Sequence, residues 1–153
     1  MARRRNERSG GTATTAGYNP SESAALPQRT IVKFHLQAPT ANLVTGTGPG
    51  WVRIGADEYR ENLVLLPDHI EKGWAPAGLD ALTADAFAAL LAFKPEIVLL
   101  GTGPTQRFLH PRLLAPLTAA RVGVETMDTG AACRTFNILV AEGRRVAAAL
   151  VVA

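Results

Sequence analysis

Two short stretches hold the residues whose types and spacing could do chemistry. The first is Gly101-Thr102-Gly103-Pro104, which follows the apolar run Ile97-Val98-Leu99-Leu100. A glycine pair directly after a strand is how phosphate-binding loops begin, because the backbone can approach the ligand and the next helix offers free amides. A dinucleotide fingerprint needs a third glycine, and Gln106 stands there. Pro104 has no N–H to give a phosphate, although Glu125 lies 24 residues after Gly101, near the distance at which an acid would meet a ribose. No Gly-Lys-Ser/Thr is present to grip a phosphate either. The second stretch is "ETMDTGAACRTFN", residues 125–137, where Asp128, Thr129, Cys133, Arg134 and Asn137 cluster in an apolar context. Cys133 could act as a nucleophile with His110 as base and Asp128 as orienter. It lacks a strained elbow, however, and single cysteines are commonly buried. Asp128 and Thr129 are good helix caps. Arg134 and Asn137 share a helix face and could hold an anion or pin the helix to a neighbouring loop.

These residues must be positioned by strands and helices that the pattern predicts. "GWVRI" (50–54) and "NLVLLP" (62–67) read as strands, with "GADEY" as the turn between them and "TIVKF" (30–34) as an earlier strand. Thr83 precedes the apolar stripe of "ADAFAALLAF", and Lys94-Pro95 ends that helix. "EIVLL" is a continuous apolar strand of the kind buried on both faces. "HPRLLAPLTAAR" is a helix with Pro111 near its start, and Pro116 should kink it or delay its regular part. "VGVETM" is a strand, "GAACRTFNILVAEG" a helix ending at Gly143, and "RRVAAALVVA" a closing strand. The order predicts one α/β domain of three layers with a mixed sheet, antiparallel N-terminal strands preceding a β-α-β-α-β half. The letters "GTGP" also occur at Gly46–Pro49, before a strand instead of after one, and read there as a loop repeated by coincidence.

Composition bounds the function. The 153 residues suit one domain, with a hydrophobic share of 47%. Residues 1–29 are Arg-, Gly-, Ser- and Thr-rich and read as a disordered tail, leaving 30–153 as the domain. The formal charge of +3 lies wholly in that tail, which holds five Arg against Glu7 and Glu22. The folded part is then neutral and is not expected to bind nucleic acid. His35, His69 and His110 lie apart from one another and from Cys133, so no metal set and no cofactor are expected. One cysteine excludes an internal disulfide and fits a reducing compartment. The longest apolar run, eight residues, is far below the roughly 20 that span a bilayer. The chain thus reads as soluble. A cytoplasmic bacterial protein is the expectation, with the Arg-rich start leaving a mitochondrial address as the alternative.

"PEIVLLGTG", followed by "VETMDTGAACRTFNILVAEGRRVAAALV", resembles the small family that includes the mitochondrial respiratory complex I assembly factor 3 and the adipogenesis-associated domain protein. The resemblance runs from about Ile31 to Val152 and is most specific at Gly101-Thr102-Gly103, Glu125, Asp128-Thr129, Ala132, Thr135-Phe136-Asn137 and Glu142-Gly143. It implies a three-layer α/β fold with a mixed sheet and a function exercised on protein partners, without a catalytic set to carry over. Two functions follow as expectations. One is a non-enzymatic protein-binding domain acting as an assembly factor for a respiratory or other membrane complex. The other is a small-ligand binder or enzyme using a cleft formed by Gly101, Thr102, Gly103, Asp128, Thr129, Arg134 and Asn137.

Overall fold

The computed structural model describes residues 41–152. The tail at 1–29, the expected strand at 30–34, His35 and the domain boundary at residue 30 lie outside the described residues.

Three strands carry alternation in which both sets of side chains are apolar, and they build the middle layer. They are β4 (Leu63–Leu66), β6 (Ile97–Gly101) and β8 (Val146–Leu150). Val64, Leu66, Val98, Leu100, Ala147 and Ala149 project from one face of the sheet, and Leu63, Leu65, Leu99, Val146, Ala148 and Leu150 from the other. Successive side chains of a strand alternate in direction, so continuous apolar runs require a cover on both sides. With β5 (His69–Lys72) and β7 (Gly123–Met127) at the edges, the sheet has the order β5-β4-β8-β6-β7. β6 runs parallel to both β7 and β8, while β4 runs antiparallel to β8 and β5.

The first face is covered by α1 (Ala84–Ala88), which tightens into a 3-10 turn over Ala89–Phe93, and by α2 (Pro111–Ala119). Phe87, Leu90 and Leu117 are their buried anchors. Lys94, at φ 55°, reverses the chain before Pro95. α2 begins at Pro111 and continues through Pro116, so the expected delay does not occur. His110 caps it, its Nδ1 accepting from the Arg112 N–H at 3.1 Å.

The second face carries α3 (Thr129–Ala141), anchored by Ala132, Cys133 and Phe136. Its last turn closes on Gly143 at φ 79°, with Gly143 N–H on the Val140 carbonyl and Arg144 N–H on that of Leu139. That pair is the Schellman arrangement, and it needs the left-handed backbone that glycine adopts without strain. Beside α3 lies a small antiparallel sheet of β1 (Val44–Gly48), β2 (Trp51–Ile54) and β3 (Asp57–Tyr59). Val44, Val52 and Ile54 seal it to the core.

The α/β class, the three layers, the mixed sheet and the C-terminal β-α-β-α-β order stand as expected. Four local readings are corrected. The strands at 51–54 and 63–66 belong to different sheets and do not form a hairpin with each other. "GADEY" supplies β3 as well as a turn, which is confined to Gly55-Ala56. The first "GTGP" is not a loop: Gly46, Thr47 and Gly48 pair with Arg53, Val52 and Trp51. β5 was not expected at all, because His69, Glu71 and Lys72 suit an exposed edge and carry no apolar period.

Candidate functional site

Parallel pairing brings the two chemistry-bearing stretches together. Gly101 of β6 stands opposite Met127 of β7, so the glycine turn and the start of α3 emerge side by side. Two backbone bonds lock them: Thr102 N–H on the Met127 carbonyl and Thr129 N–H on the Gly103 carbonyl, each 2.9 Å. The Thr129 hydroxyl accepts from Gly103 N–H at 2.8 Å and donates to the Val151 carbonyl at 2.7 Å. One side chain thus ties the turn, the helix start and the end of β8 into a single corner. Gly101 makes this approach possible, since a Cβ there would stand 3.0 Å from both Thr129 Cα and Oγ1. Gly103, at φ 102°, occupies a conformation that a side chain would strain.

The remaining polar groups are similarly engaged. Thr102 is buried; its hydroxyl donates to the Thr105 carbonyl at 2.7 Å and accepts from Arg107 N–H at 2.9 Å, folding the loop after the turn onto itself. Asp128 caps α3 by accepting from Ala131 N–H at 2.9 Å. Asn137 brackets Val44, accepting from its N–H at 2.9 Å and donating to its carbonyl at 2.8 Å. Of the two roles open to Asn137, the structure shows pinning, and what it pins is β1. Arg134 is exposed and, among the described residues, forms no ion pair.

The nucleophile reading finds no support in the arrangement. Cys133 is buried under α3, and burial pushes its thiol up to about 12, so it is protonated at neutral pH. His110 caps α2, whose side chains pack against the opposite face of the sheet. Glu125 sits exposed on edge strand β7, opposite Leu99, and takes no part in the lining of the cleft described next. Among the described residues no group of three or more His, Cys, Asp or Glu could hold a metal ion.

A cleft of about 420 Å³ opens beside the corner, lined by residues 47–52, 103–104, 128–130 and 151–152. Both "GTGP" segments contribute to its lining, one through Thr47, Gly48 and Pro49 and the other through Gly103 and Pro104. Gly103, Asp128 and Thr129 therefore do border a cleft. Gly101, Thr102, Arg134 and Asn137 lie outside its lining, and the last two line a smaller adjoining groove of about 240 Å³. The wall from Thr47 to Val52 escaped the sequence reading. Its signal was Pro49-Gly50 between short extended runs, the pair that suits a type II turn, with Gly50 at φ 77°. Trp51 dominates this wall. Its indole lies directly over Gly48, where any Cβ would collide with Nε1, and the Arg53 guanidinium sits 4.9 Å from the ring centroid.

The match to protein families is decided over this same folded region. Residues 44–151 match the family described as "Protein of unknown function (DUF498/DUF598)". The chain belongs to that family. The DUF498/DUF598 match opens at the first residue of β1 and closes just beyond β8, so it takes in every element described above. Among relatives, the mouse (Mus musculus) protein named NADH dehydrogenase (ubiquinone) 1 alpha subcomplex assembly factor 3 is 38% identical over 90 residues, 58% of this chain and 48% of that protein. The matched part is thus about half the length of the mouse protein. An uncharacterised protein of Rhodobacter capsulatus is 36% identical over 107 residues, 70% of this chain and 82% of its own. The crystal structure of a Bordetella parapertussis protein superposes with a TM-score of 0.68 at 39% identity, covering 74% of this chain and 98% of that one. No helix among the described residues is long and apolar enough to cross a membrane.

Proposed function

We propose that this domain is a protein-binding module with an assembly-factor-like role and no catalytic step of its own. In this reading it acts in the bacterial cytoplasm on a respiratory or other membrane complex, and its cleft between the two glycine turns engages the partner. The observation that carries the reading is the commitment of the site's polar side chains. Thr102, Asp128, Thr129 and Asn137 all hold backbone groups of this chain. Groups engaged in this way position a surface, the role of capping and bridging side chains. What remains at the cleft is Trp51, Val52, Val151, Val152 and two prolines, the composition of a contact surface with an aromatic anchor. The name of the mouse relative supports the same class and suggests NADH dehydrogenase subunits, or proteins that assemble with them, as the partners.

Quantitative affinity capture from the native cell tests this, using the tagged full chain and a Trp51→Ala control. A stoichiometric partner that is lost from the control is expected. The absence of any stoichiometric partner under mild conditions would overturn the reading.

One observation favours a second reading. A cleft of about 420 Å³ falls within the range of small-molecule pockets, roughly 300–1,000 Å³. A ligand bound there would raise the melting temperature by linkage, with about 2.7 kcal/mol expected at 100 times its dissociation constant. A flat thermal-shift response across nucleotides, flavins and acidic metabolites would remove that reading.

A further inference from the structure

β1 is the outer strand of its three-stranded sheet, and the pairing fixes which of its backbone groups face outward. The β1–β2 hairpin closes through the two residues Pro49-Gly50, so Gly48 and Trp51 form its first bonded pair. Bonded and non-bonded pairs alternate along an antiparallel ladder. Gly46 and Arg53 therefore exchange the next bonds, and Thr47 turns its N–H and C=O away from β2. The other edge of β2 agrees, because Val52 and Ile54 stand opposite Tyr59 and Asp57 of β3 across the two-residue turn Gly55-Ala56. The irregularity at Thr45 shifts the phase by one residue, so that Val44 faces outward in place of Thr45. Val44 shows what that edge accepts: the Asn137 carboxamide takes both its N–H and its C=O, as a neighbouring strand would.

The next outward position, Thr47, borders open space among the described residues. The groove of about 240 Å³ runs along residues 44–47 and over Gly130, Cys133 and Arg134 of α3. It meets the larger cleft at Thr47 and Gly130, which line both. Gly130 stands at the junction, where a Cβ would touch Asp128 Oδ1 at 3.4 Å, Arg134 Nη1 at 3.5 Å and Thr47 Oγ1 at 4.0 Å. Arg134 supplies an exposed positive charge without an ion pair among the described residues.

We infer that β1 is a docking edge for an extended, acid-bearing peptide segment of the partner. The segment adds a fourth strand by pairing with Thr47, presents a carboxylate to Arg134 and directs alternate apolar side chains into the cleft beside Trp51. This deepens the protein-binding reading and rests on it. Strand addition explains together an open rung, an adjoining apolar cleft and a charge at the groove wall: main-chain bonds supply affinity and alternate pockets supply specificity.

The probe is a phage-displayed random peptide library panned on the full chain. Enriched peptides should alternate apolar residues around an Asp or Glu. Thr47→Pro removes the outward N–H from an edge position where proline is tolerated, and should weaken such a peptide by about tenfold or more. Thr47→Val keeps the N–H and should lose far less binding than Thr47→Pro. If Thr47→Pro does not fold, peptides N-methylated on odd or on even residues replace it, and one phase alone should abolish binding. The inference is overturned if no peptide is enriched, or if binding ignores both Thr47→Pro and the phase of N-methylation. In that second outcome protein binding itself survives, whereas an empty affinity capture from the cell would remove the broader reading.

Discussion

Replacing Thr129 with valine is the sharpest test of how the corner is held. Valine preserves the shape of threonine and removes the hydroxyl, which accepts from Gly103 N–H and donates to the Val151 carbonyl. Thr129 is 9% exposed, so water cannot readily replace either bond. Each backbone group left unsatisfied in a buried site costs about 1–3 kcal/mol. The extra methyl of valine returns less than about 1 kcal/mol, because Gly101 and Leu150 already crowd the position. The expected net loss is therefore about 3 kcal/mol, a large share of the roughly 5–15 kcal/mol that a domain of this size has. Thr129→Ser keeps both bonds and gives up one methyl, for a loss of about 1 kcal/mol. Urea unfolding followed by circular dichroism measures all three proteins. The midpoints should order as wild type, Thr129→Ser, Thr129→Val, with equal slopes. If Thr129→Val came within about 0.5 kcal/mol of wild type, the hydroxyl would not be what closes the corner.

Two further outcomes follow from other side chains. Burial raises the Cys133 thiol to about 12, so above the ordinary thiol range the unfolded chain loses a proton that the folded chain keeps. Stability should fall as pH rises from about 9 towards 12, by up to about 1.4 kcal/mol per pH unit. Cys133→Ala should flatten that slope, and the native thiol should resist iodoacetamide until the chain unfolds. Asn137→Leu removes the two bonds that hold Val44, so amide exchange in peptides covering residues 44–54 should rise well above that in β6 and β8. Equal protection in both regions would mean that α3 does not pin the small sheet.

The central sheet was legible because Leu63–Leu66, Ile97–Gly101 and Val146–Leu150 are apolar on both phases of a strand, which leaves them no place but a covered layer. The caps were legible for a similar reason: Asp128, Pro111 and Gly143 act on backbone groups close in sequence. Half of the cleft was not. Gly46-Thr47-Gly48 has little strand propensity, and it is extended because Trp51–Ile54 pairs with it and Asn137 holds its far end from 93 residues away. Contacts of that separation leave no local pattern. The polar residues of the glycine turn were found, but their roles were not, since a threonine that bridges two backbone segments looks in sequence like one that faces a ligand. Two identical "GTGP" segments both came to border one cleft through topology, one at a hairpin end and the other at the end of a parallel strand.

The proposed function turns on whether a membrane complex depends on this domain through its cleft. Native gel electrophoresis of membranes from cells lacking the chain, probed for NADH dehydrogenase activity and subunits, measures that dependence. A smaller assembly intermediate should accumulate, the wild-type chain should restore the full complex, and a folded Trp51→Ala chain should not. A full complement of complex in the deleted cells, or complete rescue by Trp51→Ala, would contradict the proposed function.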